Sequence, residues 1–290
     1  MGRTMLTALQ AHPAFRVTGA YDPVQPAPAG VQAYASAEAL AASPGITLIY
    51  VASPPRQHLA GIVLAAAAGK PVLCEKPLAP SVEEARHCLA MVERSGIPAA
   101  VNFYFAASDA ALRLRRLVQS GAIGNIEQAR LTLRFREWPR PWQKAAGSWL
   151  ALPEEGGFTR EVASHFLFLM LRMFGPGSIE ESRTQRSVAG TEASLKARIR
   201  YDALTLEIDA ALEGERDDHN RLLIQGSKGE ASIVDWDRLD YGGSAGDPLP
   251  ESFMLDSLAA MLDGKPHELA TMAEAVQVVA LTERLLGVAG

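Results

Sequence analysis

Between Phe15 and Phe105 the chain alternates short apolar runs with longer helical ones, and this alternation limits its fold more than any other feature. FRVTGAYD (15–22), ITLIYVAS (46–53), KPVLCEK (70–76) and IPAAVNF (97–103) are rich in apolar and β-branched residues, as strands buried on both faces should be. SAEALAAS (36–43), RQHLAGIVLAAAAG (56–69) and SVEEARHCLAMVERSG (81–96) lie between them and read as helices. The last is punctuated at both ends: Ser81 followed by Glu84 predicts a capping box, and Gly96 a C-cap. Strands separated by helices of this length are βαβ units, so residues 1–104 should form a Rossmann-like, doubly wound parallel sheet.

From residue 105 onward the period changes. After a helix near 108–120, the runs NIEQARLTLRFRE (125–137), EASLKARIRYD (192–202), ALTLEIDAALEG (203–214) and NRLLIQGSKGEASIVDW (220–236) alternate polar with apolar residues. That is the mark of antiparallel strands with one wet face. QGSKGEA reads as a turn between two of them. Helices near 160–174, 251–263 and 270–287, or another subunit, are available to cover the apolar face. Residues 105–290 are therefore expected to be an α+β domain with a large, open, mostly antiparallel sheet.

Charge and cysteine usage exclude several classes. The chain carries 28 Lys+Arg against 33 Asp+Glu and no basic cluster, which argues against nucleic acid or an anionic membrane as partner. The longest uncharged stretch, Ala39–Pro55, is broken by Pro44 and Gly45 and cannot span a bilayer as one helix. The opening MGRTMLTALQAH lacks the apolar core of a leader, so a cytoplasmic location is expected. Cys74 and Cys88 lack C-x-x-C spacing and read as reduced core residues, and no metal site is predicted.

In an open parallel sheet, ligands bind beyond the carboxyl ends of the strands. Asp22 ends the first run, where a carboxylate accepts hydrogen bonds from an adenosine ribose. No Arg or Lys follows it closely, which favours NAD over NADP. The glycine-rich turn that cradles a diphosphate should precede this point. The chain instead opens on what reads as the helix after that turn, with Met5, Leu6 and Leu9 as its stripe and Gly2 where the third glycine falls. Two explanations stand: a start assigned at an internal Met, or a shortened protein without cofactor. In-frame upstream DNA encoding a VxIIGxGxM-like stretch supports the first, and a stop codon without it the second.

VASPPRQHLAGIVLAAAAGKPVLCEKPLA (51–79), SGAIGNIEQARL (120–131) and GGFTREVASHFLF (156–168) together resemble the Gfo/Idh/MocA family of NAD(P)-dependent sugar oxidoreductases. The resemblance implies roles for particular residues. Lys76 of Glu75-Lys76-Pro77 would contact the substrate hydroxyl and assist proton transfer, and Glu75 would help hold the nicotinamide ribose. Ser53, Pro54 and His58 match an element that packs on the cofactor, with Pro55 where the family has Asn. Glu161 and His165 match an Asp and a His four residues apart; His165 would take a proton, and Glu161 would hold substrate hydroxyls or orient His165. Glu161 departs from the family's Asp by one methylene, which bears on substrate pose.

A Lys beside a positively charged nicotinamide is suited to acid/base work, as is an imidazole. Asn102 and Arg160 are further substrate-binding candidates, and Trp138, Trp142 and Trp149 could face a sugar. The expected activity is hydride transfer between NAD(H) and a sugar, polyol or related cyclic alcohol, by a homodimer or homotetramer. A cofactor-free paralogue and an NAD-dependent glycosidase are the alternatives.

Overall fold

The computed structural model describes residues 2–146, 148–202 and 204–288. β3 (Ile49–Val51), β4 (Val72–Glu75) and β5 (Ala99–Asn102) form a parallel sheet in that order, with Val51 beside Cys74 and Glu75 beside Asn102. β1 (Gly19–Ala20) and β2 (Gln32–Ala33) form a second parallel pair, and β1 is not paired with β3. The expected parallel sheet is thus interrupted between β1 and β3. FRVTGAYD contributes two ladder residues instead of a full strand, because its one partner, β2, is itself two residues long.

The helices follow their sequence signals. α1 (Gly2–Ala11), α2 (Ala37–Ala42), α3 (His58–Ala67) and α4 (Val82–Ser95) occupy the predicted runs. Ser81 accepts the Glu84 N–H, and Gly96 closes α4 at φ +68 with its N–H on Val92. The pleat sorts the strands into two cores. Val72, Cys74 and Val101 join Ile62 of α3 and Ala85 and Cys88 of α4; both cysteines are free and buried. Leu73 and Ala100 face the other way, onto Met5 and Leu9 of α1 and Leu255, Leu258 and Met261 of α7 (Phe253–Leu262). α7 therefore covers the parallel sheet rather than the antiparallel one.

The second sheet has seven strands: β6 (Ile126–Arg134), β7 (Ser178–Arg186), β8 (Glu192–Arg200), β9 (Thr205–Ala211), β10 (His219–Gly226), β11 (Gly229–Val234) and β12 (Arg238–Tyr241). Their order is β12–β11–β10–β6–β9–β8–β7, antiparallel except for the central β6–β9 pair. β7 and β12, at the two edges, were invisible to apolar patterning because they are mostly polar. Ala203, the first residue of one predicted run, lies outside the described residues, as does the chain end at 289–290.

Leu131, Leu133, Leu195 and Ile208 of this sheet share one core with α5 (Asp109–Gln119), α6 (Ser164–Phe174) and α8 (Met272–Leu285). The opposite face carries ion pairs among Arg130, Glu207, Arg198 and Glu180. Just before α8 the Ala270 carbonyl accepts the Val101 N–H, which ties the end of the chain to β5. Among the described residues no helix is long and apolar enough to cross a membrane.

Candidate active site

The register of β3, β4 and β5 brings their carboxyl ends to one edge, and there the chain concentrates its polar side chains. Glu75 and Lys76 leave β4 buried. One Glu75 oxygen accepts from the Tyr50 hydroxyl and, at 2.8 Å, from Asn102 Nδ2. Tyr50 is held protonated well beyond its ordinary range, first by burial and then by the Glu75 charge. Asn102 thus orients Glu75 at this edge; the sequence had assigned it to substrate.

The second half of the chain supplies the opposite wall. Gly157, at φ +93, lets residues 157–161 turn closely past Glu192: a Cβ there would fall 2.0 Å from the Glu192 carboxylate. A π-helical turn, Thr159–Ala163, then leads into α6. On it Glu161 reaches Lys76. Lys76 Nζ donates to Glu161 Oε2 at 2.5 Å and to the Glu161 carbonyl at 2.7 Å, with both side chains buried. Gln143 Nε2 donates to the other carboxylate oxygen at 3.2 Å, and Arg140 stands 3.9 Å from it. Glu161 therefore holds Lys76, and it is not Glu161 that orients His165.

His165 lies one turn further on, buried, and its Nδ1 accepts the backbone N–H of Tyr104 at 3.1 Å. Phe103, Phe105 and Trp236 meet the ring edge-on at 5.8, 6.3 and 5.4 Å. Burial, then the charges of Lys76 and Arg140, hold its pKa well below the ordinary histidine value. Lys76, Glu161 and His165 thus share one buried cluster.

Other predicted residues sit elsewhere. Arg160 is a correction: its Nε and Nη2 clasp Glu283 of α8 at 2.6 and 2.7 Å, and Nη1 donates to the carbonyls of Pro153 and Gly156. Four of the five guanidinium N–H groups are spent on protein acceptors, and the side chain is buried. His58 is also turned inward. Its Nδ1 faces the carbonyls of Pro77 and Leu78, and its Nε2 that of Ser53 at 2.8 Å, so it staples the loop after β3 to the loop after β4. Ser53 and Pro54 remain half-buried at that edge. Asp22 is exposed, with Oδ1 accepting the N–H groups of Val24 and Gln25. Gly2 heads α1. Trp138 packs on Phe135 and Phe158 and donates to the Leu150 carbonyl, whereas Trp142 is exposed over the Arg140 guanidinium.

Periodicity could not find the outer ring of the site. Arg140 pairs with Asp218, which also accepts the Trp236 indole N–H at 3.1 Å. Asp235 and Trp236 both adopt left-handed backbone, at φ +49 and +75, a conformation that costs roughly 1–3 kcal/mol for non-glycine residues and clusters at functional sites. Asn220 anchors the pair: its carbonyl accepts the Asp235 N–H and its side chain the Trp236 N–H.

His58 and His165 give the fold a pH dependence. Burial is the leading cause that lowers both. The unfolded chain therefore takes up protons at a pH where the folded chain does not, and stability falls as pH drops below about 6.5. The urea midpoint at pH about 5.5 should lie below that at about 7.5, the unfolding free energy falling by up to ~1.4 kcal/mol per histidine per pH unit. An equal or higher midpoint at the lower pH would contradict the assignment.

The edge of the parallel sheet thus bears a buried lysine, met there by a carboxylate and an imidazole from the second half of the chain. The chain belongs to the Gfo/Idh/MocA oxidoreductase family: residues 1–103 match its NAD-binding Rossmann-fold model and residues 111–232 its C-terminal-domain model. It is 28% identical over 195 residues to Oxidoreductase P35 of Formosa agariphila, covering 62% of this chain and 61% of that protein. It is 35% identical over 128 residues to the trans-1,2-dihydrobenzene-1,2-diol dehydrogenase of Mus musculus, covering 42% of this chain and 38% of that protein. The chain thus spans less than two thirds of these relatives. The WlbA dehydrogenase of Bordetella pertussis, crystallised with NADH and UDP-GlcNAcA, shares the fold at a TM-score of 0.84 and 19% identity, over 99% of this chain and 92% of that one.

Proposed function

We propose that this protein interconverts a secondary alcohol and a carbonyl on a sugar, polyol or related cyclic substrate, with NAD(H) as hydride carrier. One observation carries the reading: Lys76, at the carboxyl end of a parallel strand, points its buried ammonium into a cluster with Glu161 and His165 from the second unit. The named relatives support the substrate class, one being a cyclic-diol dehydrogenase and the other a dehydrogenase holding UDP-GlcNAcA.

The residues present fit the cofactor at two of its three parts. The nicotinamide end would meet Glu75, whose Oε1 is fixed by Tyr50 and Asn102 and whose Oε2, among the described residues, accepts only the Lys76 N–H, at 3.4 Å. The adenosine ribose would meet the exposed Asp22, whose Oδ1 is engaged by its own turn. The diphosphate has only Gly2, at the head of α1, among the described residues. When bound, the cofactor supplies hydride transfer, chemistry no side chain provides.

The chain's own work is to bind, orient and move a proton. Glu161 and its carbonyl fix Lys76 Nζ, so the ammonium is aimed rather than wandering. Lys76 exchanges the proton of the substrate oxygen. Phe103, Phe105 and Trp236 pack edge-on around the imidazole and hold its ring plane.

Thermal shift and NADH absorbance test the reading together. NAD at 100 times its Kd should stabilise the protein by about 2.7 kcal/mol, a rise of roughly 5 °C or more, and NADP at equal concentration by less, because Asp22 would oppose its 2′-phosphate. A panel of sugars, inositols and cyclic diols should reveal NAD-linked turnover. No shift with either nucleotide would favour the cofactor-free alternative.

A further inference from the structure

We infer that the backbone N–H of Tyr104 fixes the tautomer of His165, so that His165 is a permanent Nε2–H donor to the substrate oxygen and Lys76 alone carries the proton. This rests on the reading above for the substrate, but the tautomer itself is a property of the free chain. A backbone N–H can only donate, so the Nδ1 that receives it at 3.1 Å must present a lone pair. The neutral ring then carries its proton on Nε2. No described residue bonds Nε2, and Nε2 is not among the sealed, partnerless polar atoms, so it keeps an accessible edge.

A ring in this state cannot act as a base. Nε2 is already protonated, and protonating Nδ1 would set two hydrogens against each other across the Tyr104 contact. The charged groups that face the ring, Lys76 and Arg140, are both cations and oppose a third. Among the described residues the charges that act on the ring are Lys76 and Arg140, and Glu161 is turned to Lys76 and Gln143. The site therefore presents two donors, Lys76 Nζ–H and His165 Nε2–H, to one oxygen. In the reducing direction the cofactor, when bound, would supply the hydride to the carbonyl carbon, and the carbonyl π pair would move to oxygen. That oxygen takes its proton from Lys76, whose N–H bond breaks, while the His165 N–H stays intact and stabilises the developing charge. In oxidation the same proton returns to Lys76.

Tyr104 is a positioning residue that acts through its main chain, and its place in the fold makes this testable. It opens the short 3₁₀ turn Tyr104–Ala106, and Phe103 before it is extended, at φ −80 and ψ 126. Proline is tolerated at a first helical position and after an extended residue. Tyr104→Pro therefore removes the N–H, whereas Tyr104→Ala removes the side chain and keeps it.

The experiment is ¹⁵N-histidine NMR on the full chain without cofactor, with His165→Gln assigning the signal. The expected spectrum shows His165 as the Nε2–H tautomer, with no titration from pH about 5 to 8. It should be unchanged in Tyr104→Ala and lose the fixed tautomer in Tyr104→Pro. An Nδ1–H tautomer, a His165 that titrates near 6.5 in the native chain, or Tyr104→Pro behaving like Tyr104→Ala would each overturn the proposal. Should Tyr104→Pro fail to fold, the native spectrum decides alone. Failure to find NAD-linked turnover would sink the proposed function without touching this spectrum.

Discussion

Lys76→Met lowers kcat by about 10²- to 10⁴-fold on any substrate the protein turns over, the usual worth of a positioned proton-transfer group. Two effects are mixed in that loss. The side chain carries the proton, and it also neutralises Glu161, whose other neighbours are Gln143 and Arg140. Removing one partner of a buried ion pair typically costs 3–5 kcal/mol, so the melting temperature must be followed in parallel. Lys76→Arg separates the two. A guanidinium keeps the charge beside Glu161, yet it does not release a proton near neutral pH. The expected pattern is near-native stability with turnover still lost. Turnover within about threefold of the native chain in either variant would remove Lys76 from its role.

Arg160→Leu should unfold more of the molecule than its position in the sequence suggests. Arg160 and Glu283 are both buried, joined by two hydrogen bonds, and they pin the π-helical turn that carries Glu161 to the far end of α8. Truncating one partner leaves a carboxylate uncompensated in the interior, so a loss of roughly 3–5 kcal/mol is expected, or a fall of about 6–20 °C in Tm. The charge, and not the packing alone, is at stake. Arg160→Leu combined with Glu283→Leu should therefore recover most of the loss, since an apolar pair of similar volume is often as stable as the ion pair it replaces. Thermal melts of the two variants check this; a double variant no better than the single one would refute it.

Much of this site was legible in the linear chain. Lys76 follows a run of buried β-strand residues, so its place at the sheet edge follows from strand length and the polarity of its neighbours. The four-residue spacing of Glu161 and His165 put both near one face of a helix, even though the first turn is π rather than α. The roles of Arg160, His58 and Asn102 were not legible. Each is a polar residue within reach of the site, and only the partner each meets decides its work. Glu283, which claims Arg160, lies 123 residues away. The three carbonyls that hold His58 carry no side-chain signature at all. Nor did any local pattern mark Arg140, Asp218 or Trp236, which are gathered from three loops.

Apolar periodicity, helix caps and the acid and lysine at the ends of runs are local properties, set by backbone sterics and by which faces must leave water. They determined the parallel-then-antiparallel organisation, the helix boundaries at Ser81 and Gly96, and the place of Lys76 just after a buried strand. Which face α7 covers, which cation is spent on structure and which is left for chemistry, and on which nitrogen an imidazole keeps its proton are settled by contacts between residues far apart in the chain. A hydrogen bond falls away within an ångström, so no spacing along the sequence can report it until the fold has brought the two partners together.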